Sequence, residues 1–328
     1  MADAFTTTAT LTQATTAYEQ LAYYDLRAEL FFDACASVKP TRQSHPGSAV
    51  LFNIVTDLAP AVTPLSETVD VDAVALSDTE VTISLNEYGN AVISSARIRG
   101  FSYIVVSEEV ANAVGFNAGI SFDSLARNPL VAGTNVIYGG DAASRVTLNA
   151  GDVLSAARVR QVVAQLSDAS VQRLSNYYRG FLASSAGYDL RSETGAAAWR
   201  DPHTYSQPGE IWNGEIGVFE GVAFIETPRL TPGNLETTQG GPGGFLNGGA
   251  AGGASGSFDV FPVVILGNQA LAKTWSKAVS QPMPAIILGA VTDKLQRFVP
   301  VGWYWLGGFG RFREAAIRRI EVISSIVL

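Results

Sequence analysis

"TEVTISLNEYGNAVISSARI", from Thr79 to Ile98, is the stretch on which the fold turns. Val81, Ile83 and Leu85 alternate with polar neighbours, and β-branched residues are dense, so the spacing predicts strand. "SAVLFNIV" (48–55) has the same texture. Between the two lies "TDLAPAVTPLSETVDVDAVALSD", dotted with Pro and Asp. The pattern from residue 46 to 96 is a long, irregular two-stranded excursion. Its charges are all of one sign: Asp57, Glu67, Asp70, Asp72, Asp78, Glu80 and Glu87 face no Lys or Arg within the segment. An isolated hairpin is marginal in water, and acids without a base repel one another. Such a hairpin is expected to rest on something basic.

Upstream, "TTAYEQLAYYDLRAELFFDACASV" (15–38) places Leu21, Tyr24, Ala28, Phe31 and Cys35 at steps of three and four, which predicts an amphipathic helix. "KPTRQSHPG" breaks it. Downstream, "SEEVANAVGFNAGISFDSLARNPL" (107–130) predicts a long helix, with Ser107 as N-cap, Glu108 and Glu109 at the positive end of the dipole, and Asn128-Pro129 as its stop. A second helix is expected from Asp152 to about Leu166, with Val159, Val162, Val163 and Leu166 on one face. Strands are expected at "GEIGVFEGVAFIET" (214–227) and "FDVFPVVILG" (258–267), a short helix at "NQALAKTWSKA" (268–278), and a strand at "RRIEVISSIVL" running to the last residue. Mixed elements without βαβ regularity point to an α+β fold.

Composition narrows the function. Of the 328 residues 47% are hydrophobic but only 16% charged, against a usual charged share of about 25%. A surface so neutral suits large contacts with other proteins. The net charge of −8 argues against an electrostatic grip on nucleic acid. The single cysteine, Cys35, excludes an internal disulfide framework and sits on an apolar stripe, where a free thiol is packing. The N-terminus lacks the basic and apolar parts of a signal peptide, and runs such as "AIIL" (285–288) are far short of the ~20 residues that span a bilayer. A soluble, cytoplasm-made protein is expected.

The search for chemistry is mostly negative. In "GGPGGFLNGGAAGGASG" (240–256) nine of seventeen residues are glycine. The tract lacks the adjacent Lys-Ser/Thr pair of a phosphate loop and the spaced aspartates of a calcium loop. "WRDPHTYSQPGEIW" offers Asp201, His203 and Glu210 as metal ligands or an acid–base set, but zinc sites usually use two or more His or Cys ligands, and the other histidine, His45, lies in the breaker. A polar loop is the simpler reading. "PVGWYWLGGFGRF" (300–312) gathers Trp303, Tyr304, Trp305, Phe309 and Phe312 between glycines, beside Arg311 and Arg313. It reads as sheet core or subunit contact rather than a base-stacking platform.

The order of parts carries a resemblance: an N-terminal arm, a hairpin excursion ending in "LNEYGNAVISS", a helix of some twenty residues, a region holding "GEIGVFEGVAFIETPR" and "FDVFPVVILGNQAL", and the closing "REAAIRRIEVIS". This resembles the major capsid proteins of tailed bacteriophages with the HK97 fold, most closely those grouped with the phage N4 major capsid protein. The resemblance implies an N-terminal arm over 1–45, an extended E-loop over 46–96, a peripheral (P) domain over 97–151 with its spine helix at about 107–128, an axial (A) domain over 152–292 with the glycine-rich loop at 237–257, and a P-domain return over 293–328. It implies hexamers and pentamers in an icosahedral shell around double-stranded DNA, a separate scaffolding protein, a portal and room for a decoration protein, with no membrane, cofactor, metal or catalytic residue. Location in the virion capsid follows, after assembly in the host cytoplasm.

On that footing the basic partners of the hairpin's acids are sought on the next subunit's P domain, among Arg97, Arg99, Arg127, Arg311, Arg313, Arg318 and Arg319. Reversing charge at Asp70 and Asp72 is expected to disturb assembly. No lysine stands between Lys39 and Lys273, so a shell without E-loop isopeptide bonds is expected. The glycine tract reads as slack that lets one loop meet five-fold and six-fold neighbours. Competing readings are an encapsulin-like cage of the same fold and, in a different class, a hydrolase using Asp201 and Glu210. A tail or adhesion component is expected to show repeats, and none is found.

Overall fold

The computed structural model describes residues 5–6, 31–38, 49–55, 58–65, 67, 70, 73–101, 106–193, 215–235, 245, 258–277, 280–288, 293, 295 and 297–326. In chain order the first elements are β1 (Phe5–Thr6), β2 (Ala36–Val38), β3 (Ala49–Val55), β4 (Asp78–Ser84), β5 (Asn86–Ser95), α1 (Ala96–Phe101), α2 (Val106–Val131) and β6 (Val136–Tyr138). There follow α3 (Ala156–Asp168), β7 (Tyr178–Leu182), α4 (Ser184–Ser192), β8 (Glu215–Phe219) and β9 (Val222–Glu226). The last are β10 (Phe261–Leu266), β11 (Leu271–Trp275), β12 (Ala285–Leu288), β13 (Phe298–Arg311) and β14 (Ile317–Val322). Helices and strands mix without βαβ regularity, and the α+β class stands.

One sheet runs β1-β5-β13-β11-β2, with β12 on the same edge of β13 as β11. A second runs β6-β14-β10-β7-β9-β8. Among the described residues β3 and β4 pair only with each other. The organising strand of the first sheet is β13, antiparallel to β5 from Phe298↔Ser95 to Gly307↔Asn86. Val301, Trp303 and Trp305 alternate inward along it. On α2, Val110, Val114, Ala118 and Phe122 recur every four residues, so one helical face meets those indoles. Phe122 approaches Trp305 edge-on with ring centres 5.0 Å apart. The indole N–H groups of Trp303 and Trp305 donate to Asn117 Oδ1 (2.9 Å) and the Gln281 carbonyl (3.1 Å), so neither large ring leaves a buried donor unpaired. The aromatic-rich 300–312 segment is sheet core, as its composition indicates.

The main core lies on the second sheet. β10 is buried at all six positions, the continuous apolar run of a strand covered on both faces. Val159, Val162 and Leu166 of α3 pack into this core, with Val163 at its margin. Cys35 is there too. Burial pushes its thiol up to about 11, with Asp33 adding to the rise and Arg179 opposing it. That is a packing residue.

Six local expectations are corrected. "NQALAKTWSKA" is not a helix: Leu271–Trp275 is β11, buried at every position between β13 and β2. Burial on both faces erases the alternation that marks a strand, and pairing overrides the helix propensity of Ala and Lys. Most of the helix expected over 15–38 lies outside the described residues, but its end is not helical. Asp33–Cys35 is a 3-10 turn and Ala36–Val38 a strand parallel to β11. Pro129 does not stop α2, which runs on to Val131. α2 starts at Val106, so Ser107 lies inside it rather than at the cap. β14 ends at Val322, and Ser325 is instead held by Asp189 of α4, through its amide (3.1 Å) and its hydroxyl. The helix expected from Asp152 starts at Ala156, after Ser155.

Candidate functional site

The element that leaves the body is the hairpin β3–β4, in register from Ala49↔Ser84 to Val55↔Asp78. β5 belongs to the body sheet, so the excursion proper spans 49–84. Beyond the paired strands, Leu58, Val62, Leu65, Val74 and Leu76 are exposed, Val62 at 83%. Large apolar side chains so open to water mark a surface meant to be covered. Glu67, Asp70, Asp78 and Glu80 are exposed on the same excursion, whereas Glu87 is exposed on β5 of the body sheet, opposite Leu306; Asn53 Nδ2 donates to Asp78 at 3.4 Å. Asp57 and Asp72 lie outside the described residues. The hairpin therefore presents apolar and acidic groups together, and residues 46–96 contain no cation to answer them.

The seven arginines sought as partners divide by burial. Arg97 is exposed, its guanidinium 5.7 Å from the Phe101 ring centre. Arg99, Arg311, Arg313 and Arg318 are half-buried. Arg99 donates to the Arg297 carbonyl (3.1 Å) and Arg313 to that of Ala169 (3.4 Å). Arg311 donates to the Ala132 carbonyl (3.0 Å) and stands 3.0 Å from Glu314. Arg318 donates to the Ala315 and Ile317 carbonyls. Burial desolvates Arg318 and lowers its pKa, which Glu314 partly offsets.

Arg127 and Arg319 are not open to a neighbour. Arg127 is 2% exposed and donates to the carbonyls of Arg229 and Asn234, both at 2.9 Å, and to Asn128 Oδ1. Arg319 is buried on β14, its Nε 2.8 Å from Glu321 Oε1.

Among the described residues, three buried charge clusters hold the frame that carries the hairpin. Glu321 is fully buried between Arg319, on the same face of β14, and Arg145, whose Nε donates to Oε2 at 2.8 Å. Arg145 also stacks over Phe245, 4.3 Å from its ring centre, and the Phe245 carbonyl accepts from the Val260 amide (2.8 Å). Asp123 of α2 is buried and accepts the amides of Phe31 (2.8 Å) and Phe32 (3.0 Å) on one oxygen. Desolvation raises its pKa, while those two amides, Arg229 and Arg127 pull the other way. Lys273 of β11 is buried against Asp33, Nζ to Oδ1 2.6 Å, with the Phe122 ring centre 4.7 Å away. Asp123 and Lys273 together fasten residues 31–33 to the spine of the molecule, so this end of the expected N-terminal arm is built into the body.

Of these anchors Asp123/Arg127 left a mark in the sequence as an (i, i+4) pair, and Arg319/Glu321 as an (i, i+2) pair on the closing strand. The helical spacing normally reads as a surface pair, whereas Asp123 and Arg127 are buried. Asp201, His203, Glu210 and the glycine tract apart from Phe245 lie outside the described residues. Among the described residues no group of three or more His, Cys, Asp or Glu could hold a metal ion, and no helix is long and apolar enough to cross a membrane.

A family model described as phage capsid protein matches residues 4–326. No curated protein matches the chain. Among solved structures, the capsid of Ralstonia phage GP4 superposes with a TM-score of 0.72 at 14% identity, covering 95% of this chain and 96% of that one. The capsid asymmetric unit of cyanophage Pam1 gives 0.68 at 15% identity, over 98% and 100%. The acid-stable capsid of Helicobacter pylori bacteriophage KHP30 gives 0.64 at 13% identity, over 98% of each. At such identities the likeness is one of fold.

Proposed function

The chain belongs to the phage capsid protein family and is a major capsid protein of the phage head shell, and from that premise we propose that its copies are joined by the hairpin 49–84, each laid across the next. The observation that carries this is the hairpin itself, which exposes Leu58, Val62, Leu65, Val74 and Leu76 beside acids and has no base of its own. The receiving surface is the neighbour's P domain, with Arg97, Arg99, Arg311, Arg313 and Arg318 as the basic partners. Arg127 and Arg319 drop out because they are consumed inside the subunit. Apolar burial supplies the strength and the charges the register. We read the fold as HK97-type, with α2 as the spine helix, and the assembly as hexamers and pentamers around double-stranded DNA, built with a scaffolding protein and portal. An acidic chain suits such a container, since a basic lining would bind the genome along its length.

Each exposed ion pair contributes about 0.2–1 kcal/mol, so a single change is tolerable and the sum over a shell is not. The unaltered shell is expected to lose stability as salt is added, and Asp70→Lys with Glu80→Lys to lower the yield of closed shells and invert that dependence. Particle counts by electron microscopy across a salt series check this. Equal yields at every salt concentration would sink the ionic part of the reading. We also propose a shell held without covalent links: the hairpin has no lysine, and Lys273 is buried on Asp33. Boiled particles are expected to run as one monomer band on a denaturing gel, and a ladder of multimers would refute that. The glycine tract keeps its reading as adaptable loop, now tethered at Phe245, and is expected to follow different paths in five-fold and six-fold settings.

A further inference from the structure

The hairpin meets the body through a very small root. Each of its strands buries one residue, Phe52 on β3 and Ile83 on β4. These two join Ala272 of β11, with Val50, Val81 and Phe312 packed around them. The Phe52 and Phe312 rings lie 5.5 Å apart. Beneath the root runs the glycine-rich end of β13. A Cβ on Gly308 would stand 2.2 Å from the Ser84 carbonyl oxygen, and one on Gly310 would stand 2.8 Å from Ile83 Cγ1 and 3.0 Å from Cδ1. Gly307 faces the other way, toward the Trp305 ring, as the two-residue period of a strand requires. A side chain at 308 would therefore push on the hairpin's own backbone, and one at 310 on the buried Ile83 side chain that roots it.

We propose that Gly308 and Gly310 are positioning residues for shell assembly: the close approach they allow sets the angle at which the hairpin leaves the body, and through it the geometry of the contact between copies. The inference rests on the reading of the hairpin as the arm between subunits. The leverage is large. A seven-residue strand is roughly 20 Å long, so a tilt of about 10° at the root moves its far end by about 3.5 Å. Close-packed interfaces do not absorb a displacement of that size.

The two glycines differ in what can relieve them. The obstacle at Gly310 is a side chain, which truncation removes; the obstacle at Gly308 is the backbone oxygen of Ser84, which no substitution removes. The test uses full-length protein expressed with its own head-assembly genes, with closed shells counted by electron microscopy and subunit folding followed by circular dichroism and thermal unfolding. Gly302→Ala serves as a control, because the atoms nearest its Cβ would be the Ala91 Cβ and the Asn90 carbonyl oxygen of the body sheet, both at 2.9 Å. Gly310→Ala is expected to fold as well as Gly302→Ala yet to lose closed shells about tenfold or more, giving open or misshapen particles. Adding Ile83→Ala is expected to bring shells back to within about twofold of Ile83→Ala alone. Gly308→Ala is expected to stay defective when Ser84→Ala is added. Equal shell losses in Gly302→Ala and Gly310→Ala, or no rescue by Ile83→Ala, would overturn the proposal. Replacing 58–77 by a short turn separates it from its premise. If that variant still makes normal shells, the arm reading fails. If it makes none while Gly310→Ala assembles normally, the arm stands and the positioning role falls.

Discussion

Glu321→Ala is expected to destabilise the unassembled subunit by about 3–5 kcal/mol, enough to consume much of a typical domain's stability. Glu321 is wholly buried on a strand flanked by β6 and β10, and both cations that face it, Arg145 and Arg319, are themselves buried. Burial already lowers the pKa of Arg319, with Glu321 its main compensation and Arg145 a further burden. Removing the carboxylate leaves two guanidinium groups facing each other in a low dielectric. The loss spreads, because Arg145 also stacks over Phe245. Glu321→Gln keeps the shape and some hydrogen bonds but not the charge, so an intermediate loss is expected. Denaturant unfolding of the two variants checks the order, and equal, small losses would show that the charge is not what holds the strand.

Asp123→Ala is expected to cost about 2–6 kcal/mol, from two orphaned backbone donors at roughly 1–3 kcal/mol each. The amides of Phe31 and Phe32 share one carboxylate oxygen, and Phe32 is itself core, its ring 4.7 Å from that of Phe181. Freed at this point, residues 31–38 would lose their hold and β11 its parallel partner β2. Proteolysis of the variant should open within this segment first. The pH dependence has an unusual sign. Desolvation raises the pKa of Asp123, so the folded state binds its proton more readily than the unfolded state does. Its contribution to stability is then greatest below the ordinary carboxylate value and is lost as pH rises through the raised folded value. Asp123→Asn is expected to flatten that part of the curve of melting temperature against pH, and an unchanged curve would assign the dependence to other groups.

What sequence could reveal here follows from how local each signal is. The hairpin and α3 were legible because their side chains alternate or recur along the element itself, α2 from the signals near its ends, and the 300–312 core segment from its aromatic composition. β11 was not, because Leu271–Trp275 is buried on both faces and leaves no polar rhythm. The hairpin's acids stood out by the absence of any base between residues 46 and 96. Which arginines remain open to them did not, since the burial of Arg127 and Arg319 is decided by distant neighbours. The anchors were beyond reach for the same reason: Lys273 finds Asp33 across 240 residues of chain, and Arg145 finds Glu321 across 176. The glycines of β13 were visible as composition, but only the approach of Ile83 and Ser84 gives them a purpose.

The central claim is that the hairpin joins one copy of the chain to the next. An electron cryomicroscopy reconstruction of particles formed by the full-length protein tests it most directly. Closed icosahedral shells are predicted, with residues 58–77 of each copy lying on an adjacent copy beside its Arg97, Arg99, Arg311, Arg313 or Arg318. A shell in which that segment packs only against its own subunit, or a small discrete oligomer in place of a shell, would contradict it.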